Sequence, residues 1–306
     1  MSSRELPNLR LRKPNDSVSA ISSATAPSAA HLSNLYFGIY DTSFLTRYDY
    51  WVLNITCSYI WRVSTRSVLL PFFASHFSAS HLDIGVGTGY FPATSLSLGI
   101  APACSSPAPR IALWDLSSQA LATARARILS AAPGAQVTAI QADATQPLPA
   151  AERALLLTGP RLTESNDARF DSISAFFVLH CMPGDTYTKV QALARNAASH
   201  LNPNGTFFGS TIVWSTQRVT SRPATQGLKI GTGSEDTIEG DSREDHGWFL
   251  PTLLMWVYNQ TGIFHNKGDN PDAVIKALED NFESVESWIV GTVLLFRAKA
   301  KTPRPK

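Results

Sequence analysis

The stretch His81–Pro92, HLDIGVGTGYFP, decides how the rest of the chain is read. An apolar run carrying one acid, Asp83, leads into glycines at alternate positions, Gly85, Gly87 and Gly89. Glycine accepts left-handed backbone and lets a ligand approach the main chain, so the expectation is a strand, a ligand loop and a helix. A tight turn that holds nothing is the plainer alternative. The spacing departs from the dinucleotide fingerprint G-x-G-x-x-G, because Tyr90 stands where the third glycine would fall. No lysine follows as in a P-loop. A carboxylate beside such a loop repels a pyrophosphate and attracts an ammonium group.

Outward from this stretch, short apolar runs alternate with helical ones. HLDIG (81–85), RIALWD (110–115), QVTAIQAD (136–143), FDSISAFFVLH (170–180) and TFFGSTIVW (206–214) read as strands. The near-continuous apolar run at 170–180 predicts a strand covered on both faces. LSSQALATARARILSAA (116–132) and a segment over 186–201 read as helices, the second stopping at the turn signal NPNG. This alternation predicts right-handed crossovers and a Rossmann-like, doubly wound, mostly parallel sheet. NPDAVIKALEDNF (270–282) is a helix with Asn270 as N-cap and Pro271 at its first position. ESVESWIVG and TVLLFRAKAK then follow with a gap too short for a crossover, so the α/β sheet of seven strands should end in an antiparallel hairpin.

The remaining segments divide the 306-residue chain. Residues 1–31 are rich in Ser, Ala, Pro and Arg and read as a disordered tail, with a transit peptide as the alternative. Residues 32–78 are aromatic and carry helical spacing, predicting an N-terminal helical cap. A ligand-binding domain over 79–300 contains a lid or substrate insertion at 215–264, polar and Gly/Ser/Thr-rich to 247 and then a helix over 247–264. Residues 301–306 form a tail.

Composition narrows the function. With 44% hydrophobic and 16% charged residues, a large core is affordable, and a net charge of +2 supplies no basic field for nucleic acid. Three isolated cysteines, Cys57, Cys104 and Cys181, make neither a disulfide framework nor a metal cluster, which suits a reducing, cytoplasmic setting. No apolar run reaches the length of a membrane span. The expected partner is a small molecule, with no metal and a monomeric or homodimeric state.

Two more acids complete a pattern. Asp115 ends the second strand, where a carboxylate accepts two hydrogen bonds from a ribose diol, and it also fits a helix N-cap. Asp143 ends the third and suits an adenine amino group or the cap of a turn. An amine, a ribose and a purine without phosphate describe S-adenosylmethionine.

The ordered blocks LDIGVGTG, LWDLSSQALATAR, IQADA, FDSISAFFVLHCMPG and LNPNGTFFGS resemble the class I S-adenosylmethionine-dependent methyltransferases, in the small-molecule branch labelled type 11 or 12. The resemblance covers residues 80–214. It implies that Asp83, Gly85, Gly87 and Gly89 surround the methionine part and that Asp115 holds the ribose. Leu116 would pack on the adenine, bordered by Asp143 and Ala144, with Phe177 and His180 facing the sulfonium and the acceptor. Leu116 and Phe177 are equally readable as core, and His180 as a structural histidine. His180 is the candidate base for an alcohol or phenol, and His246 is a weaker one.

Tyr36, Tyr40, Tyr48, Tyr50, Trp51 and Trp61 of the cap join Trp248, Phe249, Trp256, Tyr258 and Phe264 of the insertion as lining for an apolar or aromatic acceptor. The expected activity is methylation of a small metabolite, oxygen first. The competing readings are a dehydratase or cyclase (pericyclase-like) that keeps the sulfonium as a fixed charge, and a non-catalytic binding protein.

Overall fold

The computed structural model describes residues 49–106, 108–156, 169–213, 228–229, 237–238 and 249–301. Seven strands make one sheet: β1 Ser80–Ile84, β2 Arg110–Asp115, β3 Gln136–Gln141, β4 Phe170–Phe176, β5 Leu201–Ile212, β6 Ser284–Val290 and β7 Val293–Lys299. Their order is β3-β2-β1-β4-β5-β7-β6, with the first five parallel and β7 antiparallel to both its neighbours. The order reverses between β1 and β4, the crevice where open α/β sheets bind their ligands. A separate two-stranded ribbon pairs Leu228–Lys229 with Thr237–Ile238.

Helices cover both faces, as the apolar runs of β1, β4 and β5 require. On one face lie α1 Leu70–His76, α2 Tyr90–Ser97 and α3 Ser118–Ala131, together with a π-helical segment, Asp49–Ile60. On the other lie α4 Ala150–Leu156, α5 Thr186–His200 and α7 Pro271–Glu279. The helix Phe249–Gln260, α6, belongs to the late insertion. Phe72, Phe73, Phe77, Phe91, Phe176 and Phe208 form an aromatic layer under α1, with Phe73 meeting Phe208 edge-on at 5.5 Å. Each such buried ring stabilises by roughly 1.5–3 kcal/mol.

Local chemistry sets the helix starts. Ser117 Oγ accepts from Ala120 N–H at 3.2 Å, and Asp185 Oδ1 from Thr188 N–H at 3.0 Å. Asn270 caps α7 with Pro271 in the first turn, as its sequence predicts. No helix among the described residues is long and apolar enough to cross a membrane.

Four boundaries differ from expectation. The strand predicted over 170–180 stops at Phe176, because Phe177 turns left-handed at φ 55°. The third strand ends at Gln141, two residues before Asp143. NPNG is not the stop between helix and strand. β5 already pairs Leu201 with Phe170, bulges where Asn204 takes φ 65°, and resumes at Thr206 opposite Ser172. The helix expected over 247–264 is α6, which closes at Gln260, and residues 261–270 descend as a loop.

Candidate functional site

The glycine loop leaves β1 under two close constraints. A Cβ at Gly85, φ 71°, would lie 2.5 Å from Val178 Cγ2, and one at Gly89, φ 68°, would lie 2.8 Å from the Ala124 Cα. Side chains are therefore excluded there by space as well as by backbone. Gly87 faces open space, with nothing within 4 Å of its would-be Cβ. Between them Thr88 Oγ1 donates to Asp49 Oδ1 at 2.7 Å and accepts from Arg127 Nη1 at 3.1 Å. Arg127 also pairs with Asp49 and lies over the Tyr90 ring at 5.3 Å. The loop is thereby tied to the π-helical segment and to α3.

Two carboxylates flank it, Asp83 buried and Asp115 partly so. Asp83, 4% exposed, accepts from Ser174 Oγ at 2.5 Å. Burial pushes its pKa up to about 7, the Ser174 bond pulls it down, and the Asp115 charge raises it again. Burial likewise lifts Asp115 to about 6 against the backbone N–H groups of Ser117, Val86, Gly87 and Leu116. Ser117 N–H reaches Asp115 Oδ1 at 2.8 Å. Two carboxylates held this far above their ordinary range suit a ligand that brings a cation and hydroxyl donors.

Asp143 caps a turn: Thr145 N–H and Thr145 Oγ1 both bond its Oδ1, at 2.8 and 2.7 Å. Asn196 on α5 holds this turn from behind, donating to the carbonyls of Ala144 at 2.7 Å and Gln146 at 2.9 Å. Leu116 is 56% exposed and is no core residue, while Gln141 Nε2 fixes its carbonyl at 2.9 Å. An open apolar side chain beside Asp115 is available to a flat ring.

Phe177 is half-buried, and its positive φ is a genuine strain for a bulky residue. Its N–H is held by the Ser210 carbonyl at 2.9 Å. The turn it begins carries His180, 3% exposed, whose Nδ1 is buried without a hydrogen-bond partner. Burial pushes the imidazole down to about 3, and the Lys189 ammonium acts in the same direction. Aromatic rings surround it: Phe264 edge-on at 4.4 Å and Phe177 at 5.9 Å, with Tyr258 and Trp61 packing on Phe264 at 4.9 and 6.0 Å. Of the other aromatic residues expected here, Trp51 and Trp256 are exposed at 57% and 54%. His246, Tyr36, Tyr40, Tyr48, Trp248 and the side chains of Tyr50 and Phe249 lie outside the described residues.

Sequence reasoning missed several participants. Asp49 and Arg127 are separated from Thr88 by 39 residues each. Lys189, Asn196 and Asn266 are buried polar residues on surfaces whose sequence reads as helix or loop. His81, Ser172 and Ser174 did leave a signal, since polar residues at alternate positions of a buried strand share one face.

Comparison with known proteins agrees with this architecture. Residues 82–207 match a family model described as a methyltransferase domain. The chain is 37% identical to methyltransferase verB of Penicillium polonicum, over 85% of this chain and 96% of that one. It is 34% identical to O-methyltransferase NEC2 of Pyricularia oryzae, over 88% and 94% respectively. Among solved structures, an O-methyltransferase family protein from Burkholderia thailandensis shares the fold at a TM-score of 0.51 and 13% identity, covering 90% of this chain and 64% of that one.

Proposed function

This chain belongs to the S-adenosylmethionine-dependent methyltransferases, and on that premise we propose that it methylates an oxygen of a small, largely apolar or aromatic metabolite. One observation carries the reading: His180, Phe177, Phe264, Tyr258 and Trp61 form an aromatic cluster at the turn after β4, and Val178 of that turn lies against Gly85 of the carboxylate-flanked glycine loop. Relatives named as O-methyltransferases, NEC2 among them, support the choice of oxygen.

The residues present fit the donor. Asp83 suits its ammonium, Asp115 its ribose hydroxyls, the exposed Leu116 its adenine face, and Asp143 with Ala144 the adenine edge. The open side of Gly87 leaves room for close main-chain approach. When bound, S-adenosylmethionine supplies an electrophilic methyl carbon on a sulfonium. The protein contributes orientation and dryness: the Phe177 and Phe264 rings pack on His180 and exclude water, and the turn at Phe177 fixes where the imidazole sits.

His180 is held neutral, so its free nitrogen accepts a hydrogen bond from the acceptor's hydroxyl and orients the oxygen lone pair. Its depressed basicity suits a phenol, whose proton leaves more readily than that of an alkyl alcohol. Phenolic acceptors are therefore favoured, and we propose alongside this a monomeric or homodimeric enzyme of the cytoplasm.

The test is incubation with methyl-labelled S-adenosylmethionine and a panel of phenols, alkyl alcohols and amines. Label in a phenolic methyl ether, with one S-adenosylhomocysteine formed per ether, is the expected result. Label only on nitrogen or carbon, or a rearranged product with no S-adenosylhomocysteine, overturns it. His180→Gln should lower kcat for phenols while leaving S-adenosylhomocysteine affinity within about threefold.

A further inference from the structure

Behind Asp83 runs a line of polar groups that the reaction does not require. His81 and Asp83 on β1 face Ser172 and Ser174 on β4 in register. All four are at least nine-tenths buried, with His81, Ser172 and Ser174 at 0%. Ser78 N–H donates to Ser172 Oγ at 3.0 Å, and Ser172 Oγ lies 2.7 Å from His81 Nδ1. His81 Nε2 lies 2.9 Å from Ser174 Oγ, which donates to Asp83 Oδ1 at 2.5 Å. Phe77, Phe73 and Phe208 box the imidazole, at 4.7, 5.7 and 6.0 Å.

The direction of this chain is forced. A backbone N–H can only donate, so Ser172 Oγ is an acceptor at its outer end. Burial holds His81 neutral, with its pKa pushed down to about 3, so its ring carries one proton. If Nε2 holds that proton, every group is satisfied: Ser172 donates to Nδ1, Nε2–H donates to Ser174, and Ser174 donates to Asp83. If Nδ1 holds it, either Asp83 is protonated and donates to Ser174, or Ser174 donates to Asp83 and Nε2 is left without a donor. The Ser172 hydroxyl hydrogen then has no acceptor among the hydrogen bonds of the described residues. Inside a protein that loss is costly.

We infer that His81, Ser172 and Ser174 are positioning residues that hold Asp83 as an ionised acceptor through Oδ1 and leave Oδ2 as the single place where a proton and the donor's ammonium compete. The inference rests on assigning Asp83 to that ammonium, and it makes donor binding proton-coupled. The groups around Asp83 are few in kind. β2 brings the Asp115 carboxylate, which raises Asp83, and β4 brings the two serine hydroxyls. Further out, α1 sets the Phe73 ring against His81, and the turn after β4 carries His180 and Cys181, both kept uncharged by burial. With Asp83 near 7 before binding, affinity for an ammonium-bearing ligand weakens about tenfold for each pH unit below that value.

Calorimetry of the full chain with S-adenosylhomocysteine, from about pH 5.5 to 8.5, tests this against 5′-methylthioadenosine, which lacks the amino acid. Wild type should show the slope for the first ligand and a flat profile for the second. Ser174→Ala and His81→Phe should each move the midpoint up by about one pH unit, weakening S-adenosylhomocysteine about tenfold at the acid end, with Ser174→Thr restoring it. Asp83→Asn should flatten the first profile onto the second. If Asp83→Asn flattens it while the serine and histidine variants leave the midpoint in place, the relay is wrong and the ammonium assignment stands. If Asp83→Asn leaves affinity and slope unchanged, the ammonium assignment itself fails and takes the relay with it. Nitrogen-15 spectra of the wild-type protein need no variant: a neutral His81 with its proton on Nε2 is expected throughout, and an Nδ1–H or charged ring overturns the relay.

Discussion

Replacing Lys189 with Met should destabilise the protein by about 3–5 kcal/mol, the cost of leaving a buried charge without its partner. Lys189 is 3% exposed, and its Nζ lies 2.8 Å from Asp269 Oδ2. It also donates to the carbonyls of Met182 at 3.2 Å and His265 at 2.9 Å. At an effective dielectric constant of about 20, a charge pair at this distance attracts by about 6 kcal/mol, and desolvating both ions offsets much of that gain. The pair is thus nearly neutral in sum, but Asp269 alone is not, since burial already raises its pKa and Lys189 is the main counterweight. Urea unfolding followed by tryptophan fluorescence measures the loss. Asp269→Asn added to Lys189→Met should recover a large part of it, and the single variant's deficit should shrink at acid pH, where Asp269 takes a proton. A deficit below about 1 kcal/mol for Lys189→Met, or a double variant worse than the sum of the singles, would refute this reasoning.

Gly89→Ala at φ 68°, with Ala124 2.8 Å from the new methyl, should cost at least about 1–2 kcal/mol and weaken S-adenosylhomocysteine binding, read by thermal shift and calorimetry; wild-type values in both would contradict the loop geometry. Asp83→Asn should stabilise the ligand-free protein increasingly as pH rises. The raised folded pKa means that the stability Asp83 contributes is complete below about 3.8 and is lost toward about 7, at roughly 1.4 kcal/mol per unit. Equal unfolding midpoints for variant and wild type at pH 4 and 7 would exclude this. Asp49→Asn should cost only about 0.2–1 kcal/mol of stability, because its Arg127 partner is 36% exposed, yet it should loosen Thr88 and weaken the donor several-fold in a salt-sensitive way. Donor affinity unchanged in low salt would remove the Asp49 tie from the site.

The central sheet was legible because its inner strands are buried on both faces and its turns are chemically explicit. IALW and SISAF admit few other readings, and Asn270-Pro271 declares a helix start. Asp83 and Asp115 were placed correctly because the strands end where the apolar runs end. The strand past Phe176 was overcalled for an opposite reason. FVL continues the apolar run, and nothing in its composition announces that Phe177 adopts φ 55° and that Leu179–Cys181 coils into a 3-10 turn. Contacts from distant segments hold that turn: the Ser210 carbonyl on the next strand, Gly85 against Val178, and His265 N–H on the His180 carbonyl. The same holds for Asn196, a polar residue on an amphipathic helix whose task is visible only when α5 meets the turn at Ala144.

The split between what could and could not be read follows a division in how the site is built. The groups proposed for the donor sit on β1, β2 and the main chain of the glycine loop, where register is fixed by two-faced burial and a one-residue slip would turn Asp83 out of line with Ser174. The groups proposed for the acceptor hang on segments beyond the strand ends, and hydrogen bonds to carbonyls hold those segments. Asn266, fully buried, donates to the Ile212 carbonyl at 3.2 Å and accepts from Asn259 of α6 at 2.8 Å. His265 N–H donates to the His180 carbonyl at 2.7 Å, and Lys189 closes the other side. These ties fix the path of the backbone without specifying which rings it presents. Phe264 itself is buried against Trp61, His180 and Tyr258, so exchanging its ring disturbs that local packing, while no hydrogen bond among the described residues links it to Asp83 or Asp115. On the proposed function, the groups assigned to the acceptor lie on segments outside the central strands, so acceptor choice can vary there while the strand ends assigned to the donor stay as they are, although Trp61 and Phe264 also serve the core.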